Sequence, residues 1–344
     1  MSREADTPRT EARDGENPAL ELDVALERYS GKTILITGGR GYIGAALTQR
    51  LAAVDCELVL WDHAELDVWQ PAQVTGQVRY IQGDVMNTEL WSQAAAGVDF
   101  IFHLASLEHR QGSELNAERD LAVNATATLL LLEACRQNDV EPRIVFASSA
   151  NLYGAASTLP VNEETPDDPL TFFATHKLAS ENYLRMYKGR GGAVSLRLAN
   201  VYGPTPRQDR RQQVVVNLMV ARAMAGSPLQ LYANQNCVRD YIFLDDVVAA
   251  FLLAGQLPKS SSGTEYVIGS EEATVVGDLV RLVAERVEEK TGRAVAITDN
   301  EGVQLETAAM RNFVADCGRY RCVSGWKPKT SLREGIDKTV EALA

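Results

Sequence analysis

One segment constrains this chain more than any other. Lys32-Thr-Ile-Leu-Ile-Thr37 is a short apolar run of β-branched and aliphatic residues, fit for a buried parallel strand. It passes directly into Gly38-Gly39-Arg40-Gly41-Tyr42-Ile43-Gly44, and a helix follows from about Tyr42 to Ala53. In a strand–loop–helix of this kind Gly38 permits the tight turn. Gly41 lets backbone approach a pyrophosphate, and Gly44 allows the helix to pack closely on the strand. The N–H groups of Tyr42 and Ile43 then open a helix whose positive dipole end suits an anion.

The rest of the chain supports that beginning. Glu57–Asp62, Val78–Gln82, Phe100–Leu104 and Arg143–Ala147 read as further strands, and Glu118–Gln137 and Phe172–Lys188 as the clearest helices between them. This alternation predicts an α/β fold: a Rossmann-type doubly wound parallel sheet covered on both faces. Asp62 ends the second strand, 18 residues past Gly44. An acid there accepts hydrogen bonds from an adenosine ribose and repels a 2′-phosphate, which favours NAD over NADP; Arg40 in the loop argues the other way. An ordinary solvated turn residue is the plain alternative for Asp62.

Beyond Arg197 the elements shorten and the loops lengthen, with helices expected over Val214–Ala225 and Val275–Glu289. The expected organisation is a polar, disordered tail over 1–28, an NAD-binding domain over 29–200, and a substrate-binding lobe over 201–344. A stretch at about 236–255 is expected to rejoin the first domain. Acids outnumber bases 46 to 34, for a net charge of −12, which argues against a nucleic-acid partner. No apolar run approaches the roughly 18 residues a membrane span needs. The N-terminal stretch lacks the apolar core of a secretory signal, so the cytoplasm is the expected location. The five cysteines include no C-x-x-C pair, and the four histidines show no metal-ligand spacing, so neither a disulfide framework nor a metal site is expected.

Taken in order, these motifs place the chain in a family. Besides the glycine loop they are Gly83-Asp84-Val85, His103-Leu104-Ala105-Ser106, Asn124 and Ser148-Ser149-Ala-Asn-Leu-Tyr153-Gly154. They continue with Arg197-Leu-Ala-Asn200-Val-Tyr202-Gly-Pro204, Arg239-Asp240-Tyr241 and Gly325-Trp326-Lys327-Pro328. The chain resembles the extended short-chain dehydrogenase/reductases, in the branch of UDP-glucose 4-epimerase and related sugar-nucleotide enzymes. The resemblance implies that Asp84 bonds the adenine amine with Val85 beside the ring, and that Leu104, Ala105 and Ser106 pass under NAD. It implies that Asn124 supports the active-site helix and that Asn200 and Arg239 contact the diphosphate of a nucleotide sugar. On their own residues, Asp84 also reads as a helix N-cap and Arg239 as a surface ion pair. A homodimer is implied too, formed by pairing Glu118–Gln137 and Phe172–Lys188 across a two-fold axis; core packing of Leu129–Leu132 within one chain is the competing reading.

The family's chemistry uses Ser, Tyr and Lys, the last two spaced Y-x-x-x-K on one helical face. Ser149 and Lys177 are present, with Ser149 expected to bond the reacting hydroxyl and Lys177 the nicotinamide ribose. The tyrosine position is Phe173, which cannot exchange a proton. Three explanations stand open: a deliberately inactivated variant, a natural enzyme with another base, or an NAD-binding relative without catalysis. For the second, Glu108 and His109 are the candidate bases. His176 lies three residues from Phe173, and its plain reading is a packed or hydrogen-bonded structural histidine. Ala150 and Asn151 replace the acid pair of 4,6-dehydratases, which disfavours dehydration. Leu305-Glu306-Thr307 stands where the epimerases carry a diphosphate-binding arginine. The expected activity is therefore an NAD-dependent nucleotide-sugar epimerase, an isomerase; the alternatives are a sugar or hydroxy-acid dehydrogenase and a non-catalytic NAD-binding protein.

Overall fold

The computed structural model describes residues 22–64, 69–107, 116–187, 192–207, 214–300, 302–303 and 305–344. Helix α1 (Leu22–Glu27) precedes β1 (Thr33–Thr37), α2 (Tyr42–Leu51), β2 (Glu57–Asp62), β3 (Gln77–Gln82), α3 (Thr88–Ala94) and β4 (Phe100–His103). Then come α4 (Ala117–Leu121), a π turn over Ala122–Thr126, α5 (Ala127–Gln137), β5 (Arg143–Ser149), α6 (Phe172–Met186), β6 (Ala193–Leu198) and β7 (Asn200–Tyr202). The second half holds α7 (Val215–Met224), β8 (Leu229–Leu231), β9 (Val238–Arg239), β10 (Tyr241–Phe243), α8 (Leu244–Gly255), β11 (Thr264–Ile268) and β12 (Thr274–Val275). It closes with α9 (Val276–Thr291), β13 (Ile297–Asp299), α10 (Gly318–Ser324) and α11 (Leu332–Leu343).

Seven strands form one sheet in the order β11-β6-β5-β4-β1-β2-β3, and every pairing in it is parallel. Alternation along β1 shows why its strand is apolar throughout. Ile34 and Ile36 pack toward α2 and α8, whereas Leu35 packs toward α3, α5 and α6, so both sides are buried. The strand order reverses between β1 and β4, which is where a doubly wound sheet opens a crevice at its carboxyl edge.

Three expectations change. Residues 22–27, expected as part of a disordered tail over 1–28, form α1; Ala25 is buried, and just beyond the helix Tyr29 donates a 2.7 Å hydrogen bond to Leu252 O in α8. Leu22, Ala25, Leu26 and Tyr29 supply apolar surface that the polar residues before them lack. The return to the first domain extends past 236–255, because β11 adds the edge strand beside β6. The helix expected over 118–137 is interrupted by the π turn, whose extra residue centres on Asn124. Such turns recur at functional sites.

A second core lies among α7, α9 and α11, around Val216, Val220, Leu279, Val283, Ile336 and Val340. It forms the lobe that faces the sheet's carboxyl edge through β7, β9 and β10.

Candidate active site

The glycine loop is fixed by sterics. Gly38 has φ +67°, and a Cβ there would stand 2.9 Å from Ala105 N, in the segment after β4. At Gly44 a Cβ would overlap the Gly38 carbonyl oxygen, so α2 can approach β1 only with glycine there. The carboxylate of Asp62, 6% exposed, accepts from Arg40 N at 3.0 Å and Ala64 N at 3.0 Å. The Arg40 side chain is turned away from the loop: Nε and Nη2 donate to Trp69 O at 3.2 and 3.0 Å, and Nη1 to Ala64 O at 3.3 Å. This cradle, closed to side chains and bordered by a buried carboxylate at the end of β2, fits a dinucleotide.

Next to it, Asp84 accepts from Met86 N at 2.9 Å and from Arg119. Burial pushes its carboxyl up, but those two donors outweigh burial and leave it below the usual carboxylate range. The N-cap of α3 is Asn87, not Asp84. Val85 is buried, and its carbonyl accepts from Trp91 Nε1 at 2.6 Å. Leu104 N donates to Thr37 O at 3.1 Å and Ala105 N to Thr37 Oγ1 at 3.2 Å, which ties the segment after β4 to the glycine loop.

Asn124 holds the far end of that segment. Its Oδ1 accepts from Ser106 Oγ at 2.9 Å and Leu107 N at 3.1 Å, and its Nδ2 donates to Leu107 O at 2.8 Å. Widening of the helix at the π turn frees the Asn124 carbonyl for Ser180 Oγ of α6, at 2.7 Å. The same residue thus braces both the segment under the expected cofactor and the helix carrying Phe173 and Lys177. Below it His103, wholly buried, lies between Thr37 Oγ1 at 2.7 Å and Thr128 Oγ1 at 3.3 Å. Burial, with Lys177 nearby, pushes its imidazole down to about 3, so it is neutral.

Ser149 ends β5, and its Oγ accepts from Asn151 N at 3.1 Å. Lys177 is 2% exposed and donates to Ala147 O at 2.9 Å on the same strand. Its ammonium also lies 4.7 Å from the Phe146 ring centre and 5.7 Å from that of Phe173. Phe173 is itself buried, one turn from Lys177 on the inward face of α6. Phe173 and Lys177 therefore share one face of α6, with the Lys177 ammonium on Ala147 of the strand that ends at Ser149, and no phenol stands there. Glu108 and His109 lie outside the described residues. His176 does not stand alone: its Nδ1 is 2.6 Å from Oδ1 of the fully buried Asp120.

In the facing lobe, Asn200 Nδ2 donates to Asp240 O at 2.9 Å. Arg239 is no surface ion pair; it is buried, and Nη2 donates to Ala309 O at 2.8 Å. Burial pulls its pKa below the usual arginine value. Arg311 was not singled out by sequence. It donates to Ala150 O at 3.1 Å and to Asn151 Oδ1, and with Gly154, Thr171 and Ala308 it lines a small cavity beside Ser149's turn. A single arginine at unfamiliar spacing gives no signal until the segment carrying it is folded across the lobes. Arg207 escaped notice for the same reason; it is buried against the glycine loop.

Known proteins resemble this chain along most of its length. Residues 34–269 match the model of the NAD dependent epimerase/dehydratase family. The chain is 30% identical over 314 residues to a UDP-glucose 4-epimerase of Mycolicibacterium smegmatis, covering 89% of this chain and 97% of that protein. Among solved structures it resembles the epimerase Mth375 of Methanothermobacter thermautotrophicus, with TM-score 0.81 and 25% identity over 93% of this chain and 94% of that one. It also resembles MoeE5 in complex with UDP-glucose and NAD, with TM-score 0.78 and 28% identity over 90% of this chain and 98% of that one.

Proposed function

We propose that this chain, which belongs to the NAD dependent epimerase/dehydratase family, is an NAD-dependent nucleotide-sugar epimerase that inverts a sugar carbon by transient oxidation. The observation that carries the reading is the joining of two half-sites by Asn124, which bonds the segment leaving the glycine-loop side and the helix bearing Lys177. The relatives named above as epimerases, and the UDP-glucose bound in one neighbour, support the substrate class.

The glycine loop, Asp62, Asp84 and Lys177 would hold NAD, with Val85 and Leu104 to Ser106 against it. Bound NAD supplies reversible hydride acceptance. Ser149 orients the reacting hydroxyl through Oγ, and Lys177 contributes a desolvated positive charge that favours loss of that hydroxyl's proton. Asn200 and Arg239 would meet the diphosphate, for which Arg239 exchanges the Ala309 carbonyl for phosphate oxygens that match its fork. Ala150 and Asn151 provide no carboxylates for water elimination, so epimerisation is favoured over 4,6-dehydration.

Homodimerisation is part of this reading. Leu129 and Met186 are 43% and 83% exposed, and with Tyr183 and Tyr187 they line a groove across α5 and the end of α6, bordered by the Glu133–Arg136 ion pair. We place the protein in the cytoplasm, where its five unpaired thiols are stable; no helix among the described residues is long and apolar enough to cross a membrane.

The test is incubation of the purified protein with UDP-, dTDP- and GDP-sugars, with products read by NMR. Conversion between epimers without net NADH, with NAD retained through purification, is expected. Net NADH accumulation would instead identify a dehydrogenase. No bound NAD and no NAD-induced rise in Tm would overturn the assignment.

A further inference from the structure

The polar contacts between α6 and the α4–π-turn segment form a ladder. Asp120 and Asn124 stand one turn apart on the face toward α6. The lower rungs are Ser180 Oγ to Asn124 O at 2.7 Å and Ser180 Oγ to Thr128 Oγ1 at 2.9 Å. The upper rung is His176 Nδ1 to Asp120 Oδ1 at 2.6 Å. It lies on the side of Asn124 toward the start of α6, where Thr171 caps the helix and lines the cavity with Arg311. Side chains of a helix lean toward its N-terminus, so His176 leans toward the turn that carries Phe173.

Two features set this rung apart from a packing contact. Asp120 has no exposed surface, yet its Oδ2 has no hydrogen-bond partner among the described residues. A buried, half-satisfied carboxylate is costly, and an apolar pair of similar volume would serve packing better. Second, Nδ1–H bonding to a carboxylate fixes the tautomer and leaves the Nε2 lone pair as a base. Phe172 stacks on the ring at 6.1 Å and 18°, and no described residue hydrogen-bonds Nε2. Asp120 from α4 is the charged group that contacts it; Lys177, the next residue on α6, directs its ammonium to Ala147 O, and Arg119 of α4 is engaged by Asp84.

We propose that His176, oriented by Asp120, is the catalytic residue that accepts and returns the substrate proton in place of the phenol absent at Phe173. The inference rests on the epimerase reading. The sugar O–H bond breaks with its proton passing to His176 Nε2, and its electron pair forms the carbonyl as the carbon's hydride passes to NAD. On return of that hydride to the opposite face, the imidazolium gives the proton back to the carbonyl oxygen. Nothing is consumed.

The experiment uses the full chain with its NAD, probed with UDP-glucose. His176→Ala is expected to lower turnover by about 10² to 10⁴ with NAD content retained, while Tm falls because the buried Asp120 loses its partner. His176→Asn, which keeps an N–H for Asp120, is expected to lose turnover as severely with a smaller fall in Tm. Adding Phe173→Tyr to His176→Ala is expected to restore turnover. Turnover within about threefold of wild type in His176→Ala overturns the proposal and leaves the epimerase reading intact. A substrate-free measurement stands beside it. The ¹⁵N shifts of His176 are expected to show the Nδ1–H tautomer, reverting to a mixture in Asp120→Asn; an Nε2–H tautomer overturns the proposal. A wild-type protein that neither retains NAD nor converts any sugar nucleotide overturns the epimerase reading, and the proposal with it.

Discussion

Arg207 Nη1 donates a 2.6 Å hydrogen bond to the carbonyl oxygen of Arg40, so a residue beyond β7 holds the loop that follows β1. Two further bonds run the same way, from Tyr42 OH to Gly203 O at 2.6 Å and from Thr205 Oγ1 to Tyr42 O at 3.1 Å. The segment 203–207 therefore clasps the first turn of α2, joining the site's two halves. Replacing Arg207 by Met, which keeps much of the stem's volume, should cost about 1.5–3 kcal/mol of stability, as for a buried charge-assisted hydrogen bond. NAD should leave faster as well, since the loop it rests on loses a support. Denaturant titration and the rate of NAD loss on dilution measure the two effects; an unchanged NAD off-rate would limit Arg207 to folding.

The glycine loop yields a sharper prediction. A methyl group at Gly44 would overlap the Gly38 carbonyl oxygen, and that oxygen cannot retreat because it also accepts from Gly41 N at 2.9 Å. Gly44→Ala should therefore push α2 off β1 and cost about 1–3 kcal/mol or more, as overpacking does. Gly97 offers the control, since nothing lies within 4 Å of a Cβ there. With φ +68°, Gly97→Ala suffers only backbone strain, of order 1 kcal/mol. Melting of the two variants with and without NAD should show cofactor-dependent stabilisation lost in the first and kept in the second.

Stability should also depend on pH through His103. Its imidazole is held down to about 3 in the fold, from an ordinary 6.5, by burial first and by Lys177 second. The unfolded chain therefore binds a proton over that interval which the folded chain refuses. The stabilisation is complete above the unfolded pKa and declines as pH falls toward 3. Between pH 6.5 and 5 this one group should cost roughly 1.5–2 kcal/mol. His103→Gln can still bond Thr37 and Thr128 but does not titrate. The difference in unfolding free energy between wild type and this variant should shift by that amount across the interval; a constant difference would contradict the neutral, buried assignment.

How much of this was legible beforehand differs between residues for physical reasons. The β1–loop–α2 unit was readable because its constraints are local: Gly38 and Gly44 meet backbone within a few residues or across one strand pairing. Lys177 and Phe173 were readable because four residues along a helix fix their common face. The π turn was not, since Ala122–Thr126 has ordinary helix formers and the widening answers Ser180 on another helix. Asp120 passed unnoticed for the same reason: only the packing of α4 on α6 turns a helix-surface acid into a buried partner of His176. Arg207 and Arg311 act across the two lobes, and sequence spacing carries no measure of that distance.

Cofactor choice can be argued the same way. Both oxygens of Asp62 accept backbone N–H groups, and at 6% exposure its charge is poorly screened, so a 2′-phosphate is repelled. Arg40, the one feature of the loop that argued for NADP, spends its guanidinium on the carbonyls of Ala64 and Trp69 and lies over the Tyr80 ring, 5.9 Å from its centre. NAD should be preferred strongly. Asp62→Ser should weaken NAD by at least about tenfold, on the scale of a lost charge-assisted hydrogen bond. It should reduce discrimination against NADP without reversing it, because the Arg40 guanidinium stays on its carbonyls and, among the described residues, leaves the exposed ring of His63, 3.3 Å from the Asp62 carboxylate, as the basic group beside it. Calorimetric titration of both dinucleotides into the stripped variant measures this. Reversal to a clear NADP preference would show that Arg40 leaves those carbonyls when the carboxylate is gone.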